Sequence, residues 1–367
     1  MIKWCKKCIL PDSRPNILIH HDGVCNACKN HKFKKKINWP KRKKKLIELF
    51  KKSRTKNNSY DCLIPVSGGK DSTWQVLTCL NYGLKPLAVT YKSPGRNKLG
   101  SENLNNLISL GVDHVDFSLN PNIEKYFMLK SFLGKGSTAI PMHFLIYNLP
   151  YKFAELYKIP LIVWGENPAK EYGFLNAKDL KLKNKSWWKK HGALSNTSLE
   201  SWSDSTLNKK NLSSMMINKS CSAKSIFLSD YLRWDPINIK KIVKKKGFKS
   251  SDRAKTGIYN FADIDCDFIS IHHYLKWYKF GITRSFDNLS IEIRNGRISR
   301  DKAINLLRQS LKNKRPKKDI AKFCNYIGIS TKKFDTICEK FRNKKIWKKI
   351  GNTWKIENFI IKKYGWK

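Results

Sequence analysis

Acidic residues are scarce in this chain. Aspartate and glutamate number 28 against 74 lysines and arginines, a formal charge of +46 over 367 residues. This excludes an acidic solvating chain, and a hydrophobic content of 41% excludes disorder of the low-hydrophobicity kind. Arginine is scarce too, at 13 residues against 61 lysines. The lysines run along the whole chain rather than in one arm, and Asn and Ile are also abundant, as an AT-rich genome produces without any basic partner. The charge is therefore a weak argument for nucleic acid and fits a polyanionic small substrate equally well. Long apolar runs are missing: none reaches the roughly 18 residues of a membrane span. The opening "MIKWCKKC" has no apolar leader core, so a cytoplasmic location without a membrane partner is expected. Paired cysteines are absent after Cys28, which excludes a disulfide framework. Cys62, Cys79, Cys221, Cys266, Cys324 and Cys338 stand singly and read as buried thiols.

The four remaining cysteines are clustered. "CKKC" (Cys5, Cys8) and "CNAC" (Cys25, Cys28) are two tight turns that each aim two thiolates at one centre. Four sulfur ligands in that spacing suit structural zinc, with no open position for catalysis. The intervening "SRPNILIHHDG" reads as a short hairpin. A redox dithiol or an iron–sulfur cluster is the alternative reading of such pairs. The basic stretch that follows, "KNHKFKKKINWPKRKKKLIELFKKSRTKNNS", reads as a linker entering a helix with a solvated face.

Also absent is the Walker pattern G-x-x-x-x-G-K-[ST]. In its place stands "YDCLIPVSGGKDSTWQVL". Cys62 to Val66 reads as a buried parallel strand, and a helix is expected from Thr73 to about Tyr82, capped by Asp71 or Ser72. Between them, Gly68 and Gly69 let the backbone approach a ligand. Successive N–H groups at a helix start form an anion nest. Lys70 adds charge, Ser67 and Ser72 add hydroxyls, and Asp71 suggests Mg²⁺ or a specific hydrogen bond. All six residues of "SGGKDS" fit the pattern SGGxDS of the ATP pyrophosphatases, the PP-loop superfamily, which this stretch resembles. The resemblance implies ATP cleaved to AMP and pyrophosphate.

Downstream, strand and helix alternate. "KPLAVTY", "VDHVDF" and "PLIVWGENP" read as strands. "SENLNNLISLG" reads as a helix capped by Ser101, and "FLIYNLPYKFAELYKI" as a helix that Pro150 starts or kinks. This pattern gives an α/β doubly wound parallel sheet with ligands at the strand C-terminal ends, where Ser67, Thr90 and Gly165 lie. "WGENPAKEYG" brings Glu166, Asn167, Glu171 and Tyr172 to the same side.

The motifs "CxxC-(I/L)-x-P-D-S-R-P…GVCNAC", "VSGGKDS", "WGENPAKEYG", "YLRWD", "HHYLKWYKFGITR" and "IRNGRISR" occur in this order. Together they resemble the N-acetyl sugar amidotransferases of the WbpG and PseA type, across nearly the whole chain. The resemblance implies an ATP-dependent, AMP- and pyrophosphate-forming carbon–nitrogen ligase that turns an acetamido group of a sugar nucleotide or nonulosonic acid into an acetamidino group. The product would serve bacterial O-antigen or flagellin glycans. Ammonia would come from a glutaminase and a cyclase-like subunit resembling the histidine-biosynthesis pair. ATP, Mg²⁺ and structural Zn²⁺ are the cofactors implied. Carried onto this sequence, Ser67, Gly68, Gly69, Lys70, Asp71, Ser72, Thr90 and Gly165 bind ATP, with Asp71 on Mg²⁺ and Lys70, Asp71 and Glu166 catalytic. Asn167, Glu171, Tyr172, Lys279, Arg284, Arg294 and Arg297 face the substrate, guanidinium forks suiting its carboxylate or phosphate. The chain departs from the family pattern at His273, where an aspartate is usual, and at Ile282 and Thr283 in "GITR".

The expected organisation is a zinc ribbon over 1–35 and a basic linker helix over 36–58. A PP-loop domain follows over 59–235, with 174–220 as a lid or insertion, and a mainly helical domain over 236–367. Trp187, Trp188 and Trp202 are candidate stacking platforms, and Met215 and Met216 read as packing. The runner-up function is a PP-loop tRNA thiolase, which also joins this loop to CxxC pairs but usually needs further cysteines. A zinc-ribbon nucleic-acid binder without catalysis leaves "SGGKDS" unexplained.

Overall fold

A computed structural model describes residues 1–54, 59–173, 194–216, 221–311, 315–362 and 364. Its centre is a five-stranded sheet of β1 (Cys62–Pro65), β2 (Pro86–Tyr91), β3 (Asp113–Phe117), β4 (Leu161–Trp164) and β5 (Lys224–Phe227). The strand order is β3-β2-β1-β4-β5 and every neighbouring pair is parallel. Strand β1 is apolar throughout because both its faces are covered. Cys62 and Ile64 pack with the helices Lys70–Asn81, Lys98–Ile108 and Pro236–Lys244, while Leu63 points the other way, against the helix Ile140–Leu156. That is the period-2 alternation of a strand buried on both sides.

The order reverses between β1 and β4, so a crevice opens at their C-terminal ends. The loop "SGGKDS" leaves β1 there, and "GENPAKEYG" leaves β4 beside it. The doubly wound α/β class read from the strand–helix alternation is therefore observed. β5 is the strand that the sequence pattern hid. It is a four-residue edge strand with an exposed first residue, at the head of a stretch that otherwise reads as helix.

Local details differ from expectation at three places. The helix after β1 begins already at Lys70, with Gly69 as N-cap and no side-chain cap. The Ser72 hydroxyl instead donates to the Gly69 carbonyl at 2.9 Å. The next helix is Lys98–Ile108, capped by Asn97 rather than Ser101, with Asn97 Oδ1 accepting from the Gly100 N–H at 2.9 Å. Pro150 sits inside the helix Ile140–Leu156.

C-terminal to the sheet come helices Ile269–Phe280, Arg284–Arg294, Arg300–Ser310, Lys317–Ile327 and Thr331–Lys340. Ser299 caps the third of these, as expected. An antiparallel hairpin of β6 (Trp347–Ile350) and β7 (Thr353–Ile356) follows. The cysteine-bearing N-terminus shares one apolar core with this region: Ile9 and Leu10 bury with Trp277, Leu307 and Trp347. Among the described residues no helix is long and apolar enough to cross a membrane.

Candidate functional site

The crevice at the switch point is a cavity of about 510 Å³. Ser67, Gly69, Lys70, Asp71 and Ser72 form one wall, and Glu166 and Tyr172 a second. The 259–266 segment and Arg284 close the far side. A volume of this order holds a nucleotide-sized ligand.

The loop is held open by its own residues. The Gly69 N–H donates to Ser67 Oγ at 3.3 Å, and the Ser67 N–H to Ser72 Oγ at 3.4 Å. Gly68 has φ +82°, a left-handed conformation that favours glycine. Lys70 is buried, its ammonium bonded to Asp71 and lying 5.6 Å from the centre of the Trp234 ring. The Trp234 indole N–H donates to Asp71 Oδ1 at 3.0 Å. Gly165 lies behind the loop, where a Cβ would meet Gln75 Nε2 at 2.3 Å. Thr90 is buried and turned aside, its hydroxyl 2.8 Å from His114 Nε2; Tyr91 and Ser93 face the cavity in its place.

Four carboxylates, of Asp71, Glu166, Asp263 and Asp265, line the cavity. Burial and the neighbouring Asp71 charge push the Glu166 carboxyl up, to about 7. Burial likewise raises Asp265, against the pull of the Ser67 hydroxyl. Asp263 goes the other way. Burial acts to raise it, but Arg284 and His273 overcome this and hold it well below the usual carboxylate range. Arg284 Nε lies 3.3 Å from Asp263 Oδ2, and His273 Nε2 3.4 Å from the same oxygen. The guanidinium also stands 5.5 Å from the centre of the Tyr172 ring.

The remaining substrate candidates lie elsewhere. Asn167 caps a short helix, Pro168–Tyr172, and donates to Asp230 at 3.1 Å. Glu171 is buried against Lys34 at 2.6 Å. Arg297 joins Glu292 and Asp235, at 2.5 and 2.7 Å. Arg294 donates to the Glu171 carbonyl at 3.1 Å, beside the cysteines. Lys279 opens onto a separate pocket. At the start of the Arg284 helix Ile282 is buried, 2% exposed, and Thr283 is half-buried with its hydroxyl oxygen inside; neither lines the cavity. Trp202 is buried against Phe127, ring centres 5.5 Å apart. Trp187, Trp188 and all of 174–193 lie outside the described residues. Met215 is buried.

No sequence motif marks the Asp263–Asp265 segment. Its carboxylates sit in an irregular stretch, "YNFADIDCD", whose only local signal is aspartate recurring among apolar residues. The fold delivers it: the Asn97 N–H donates to the Asp265 carbonyl at 3.2 Å, and the Asp267 N–H to the Gly95 carbonyl at 2.7 Å.

Cys5, Cys8, Cys25 and Cys28 are buried with their sulfurs all within 4.8 Å of one another. Cys5–Cys28 and Cys8–Cys25 are separated by 4.0 and 3.6 Å. A tetrahedral zinc with Zn–S near ~2.3 Å sets its sulfurs about 3.8 Å apart, so the four thiolates fit. A closed sulfur shell makes such a zinc structural.

A histidine cluster borders the cavity. Burial lowers His143 and His273 to about 4, and His272 well below its ordinary value. The His143 and His272 rings stand 5.9 Å apart, and those of His272 and His273 5.3 Å. Unfolded histidines take up protons below about 6.5, and these do not, so stability is lost as pH falls through that value. Glu166 has the opposite sign, its folded form holding a proton between about 4.3 and 7. Glu124, which burial raises to about 8, shares that sign, and His31, lowered to about 4, shares the sign of the histidines. Because these groups offset one another, the expectation is set on the difference: between pH 7 and pH 5 a His272→Gln, His273→Gln variant loses less melting temperature than the parent chain. An identical slope in that variant would contradict the assignment.

Residues 255–360 match the family model described as "LPS biosynthesis protein WbpG-like, C-terminal domain", which bears out the family resemblance carried by the motifs. No curated protein matches the sequence. Among solved structures, NMN synthetase from Francisella tularensis is similar over 73% of this chain and 94% of that one, at 13% identity and a TM-score of 0.35. The family match and the loop's setting support an ATP-using enzyme of the PP-loop type.

Proposed function

We propose that this chain is an ATP-dependent amidotransferase acting on the acetamido group of an activated or acidic N-acetyl sugar. The reading rests on one observation above others: a phosphate-type loop, a carboxylate poised near neutrality and an arginine share one cavity. The acetamido oxygen attacks the α-phosphate and pyrophosphate leaves. Ammonia then adds to the carbon, AMP departs with the original oxygen, and a proton is lost to leave the amidine. The product would enter a bacterial surface polysaccharide or flagellin glycan.

The loop N–H groups and Lys70 bind the β,γ-phosphates, Lys70 exchanging its Asp71 contact for phosphate oxygen. Asp71 and Asp265, which line the cavity with the loop, would hold Mg²⁺, which would supply neutralisation of phosphate charge. Glu166, with its carboxyl near 7, accepts the proton that the incoming nitrogen sheds, since a base works best with its pKa near the operating pH. Arg284 and Tyr172 orient the amide. Labelled ATP tests the reading: AMP and pyrophosphate are expected in the presence of acceptor sugar, and ADP with phosphate would refute it.

Nitrogen is proposed to arrive as ammonia from a glutaminase with its cyclase-like partner. A glutaminase needs an activated nucleophile, usually cysteine with histidine. Cys266 is the cysteine lining the cavity, and burial pushes its thiol up to about 11, beside Ser93 at 3.2 Å. Such a thiol stays protonated. The purified chain is expected to form amidine with ammonium salts and to be inert with glutamine. Turnover with glutamine alone at a matching rate would overturn this. Thiolation of tRNA with a sulfur donor, with no amidine from any nitrogen source, would assign the chain to the thiolases instead.

A further inference from the structure

A second pocket, of about 240 Å³, lies behind the far wall of the nucleotide cavity. The helix Ile269–Phe280 supplies one side through His272, Lys276 and Lys279, spaced to fall on one face. Arg14, from the "PDSRP" turn of the N-terminal ribbon, comes from the other. Asp287 is the one carboxylate in the lining, and it is already taken. Arg14 Nε holds Asp287 Oδ1 at 2.6 Å, and Arg284 Nη1 lies 3.5 Å from Oδ2. Lys279 Nζ donates to the Lys135 carbonyl at 2.9 Å and lies 5.7 Å from the centre of the Phe280 ring, with no carboxylate in ion-pair reach among the described residues. Lys276 Nζ has no carboxylate in ion-pair reach among the described residues, and its nearest polar contact is His273 Nδ1 at 3.5 Å. Burial lowers both lysines to about 8, so both remain largely charged at neutral pH.

Lys276 and Lys279 are half-buried, and with Arg14 they give the lining three cations against the single carboxylate of Asp287, an excess of positive charge that an anion in the pocket would offset. We propose that this pocket is an oxyanion subsite that seats the carboxylate or phosphate of the acceptor sugar. The inference rests on the amidotransferase reading and adds where the acceptor's charge is held. The volume is below the ~300 Å³ lower bound of drug-sized sites, which suits an anionic sugar end and not a whole nucleotide. The two cavities are joined by their walls: His272 faces His143 across 5.9 Å, and Asp287 pairs with Arg284. An anion bound here would therefore stand one side chain away from the reacting amide.

The test is calorimetry on the full chain at fixed ionic strength, without ATP or ammonia. The probes are N-acetylneuraminic acid, its methyl ester, UDP-N-acetylglucosamine and free N-acetylglucosamine. At least one charged probe is expected to bind at least tenfold more tightly than its uncharged counterpart. The pair that shows the difference identifies carboxylate or pyrophosphate as the recognised group. Lys276→Met should lose that tenfold while ATP affinity is unchanged and the melting temperature rises, because a cation that burial disfavours, and that Asp287 and Asp263 offset only in part, has been removed. Equal binding of charged and neutral probes, no binding of any probe, or full anion affinity in Lys276→Met would each overturn the subsite. Charge-dependent binding without turnover under any nitrogen source would leave the subsite standing and refute the amidotransferase reading.

Discussion

Gly68→Ala is expected to lower kcat/KM for ATP by on the order of 10²–10³-fold, the effect of losing an aligned backbone donor at a developing charge. Two independent causes act at this position. The backbone is left-handed, at φ +82°, which costs an L-residue about 1–2 kcal/mol. A Cβ there would also meet the Leu104 backbone nitrogen at 2.6 Å and its Cα at 2.8 Å. Backbone cannot rotate out of the way as a side chain would. Nor can the Lys98–Ile108 helix retreat, because Gly100 on that helix is pressed against Asp265, with a Cβ site 2.3 Å from the Asp265 carbonyl oxygen. The loop must move instead, and the N–H nest moves with it. Gly69→Ala is the control, since Gly69 has φ −68° and its Cβ would meet only Ser67 Oγ, at 3.2 Å. Steady-state kinetics on both variants decides the matter. Equal losses would mean that the close approach of the helix has no part in loop geometry.

Removing the metal is expected to abolish turnover as well as to unfold the ribbon. One zinc per chain is the expected content, lost in a Cys5→Ser, Cys25→Ser variant, and in small zinc modules binding energy is folding energy. The consequence for the site follows from how the ribbon is attached. Asn26 Nδ2 donates to the Gly173 carbonyl at 2.6 Å, and Arg14 Nη1 to the Tyr172 carbonyl at 3.4 Å. Lys34 Nζ meets Glu171 at 2.6 Å, both side chains being largely buried. Breaking one partner of such a pair costs roughly 3–5 kcal/mol, because the other charge is left buried and alone. The segment from Glu166 to Gly173 is thus fastened from the ribbon side. Metal analysis with hydrogen exchange on residues 166–173 provides the check. Zinc persisting in the double variant, or a metal-free chain with normal exchange in that segment and normal turnover, would refute it.

The glutamate and arginines of this region show why residue type alone misassigns roles. Glu166 and Glu171 are five residues apart on the same loop. Burial raises both carboxyls, but one faces the nucleotide cavity and the other pairs with Lys34. Arg284, Arg294 and Arg297 all lie on or beside one helix, yet only Arg284 reaches the cavity. Ten residues carry Arg294 about 15 Å along the helix, to the cysteines, whereas Arg297 lies past the helix end, beyond Gly296 at φ +73°, where it meets Asp235.

Some features were determined by the sequence alone. The parallel strands β1, β2 and β4 were legible because burial on both faces demands short continuous apolar runs, and the edge strand β3, polar and partly exposed, from its place in the strand–helix alternation. The loop was legible because glycine, lysine and serine between strand and helix satisfy local requirements of backbone angle and charge. The cysteine cluster was legible because CxxC fixes two ligands within one turn. Tertiary structure decided the rest, through contacts between residues far apart in the chain. Asp263 and Asp265 meet Ser67 and Arg284 only because the 257–267 segment is tied down on Gly95 and Asn97. Lys70 is buried against Trp234, more than 160 positions away, as the chain returns past β5. The ribbon became part of the site because Arg14 and Lys34 anchor the loop after β4. Local sequence encodes backbone angles and periodicity, whereas which charges face one another is set by packing of the whole chain.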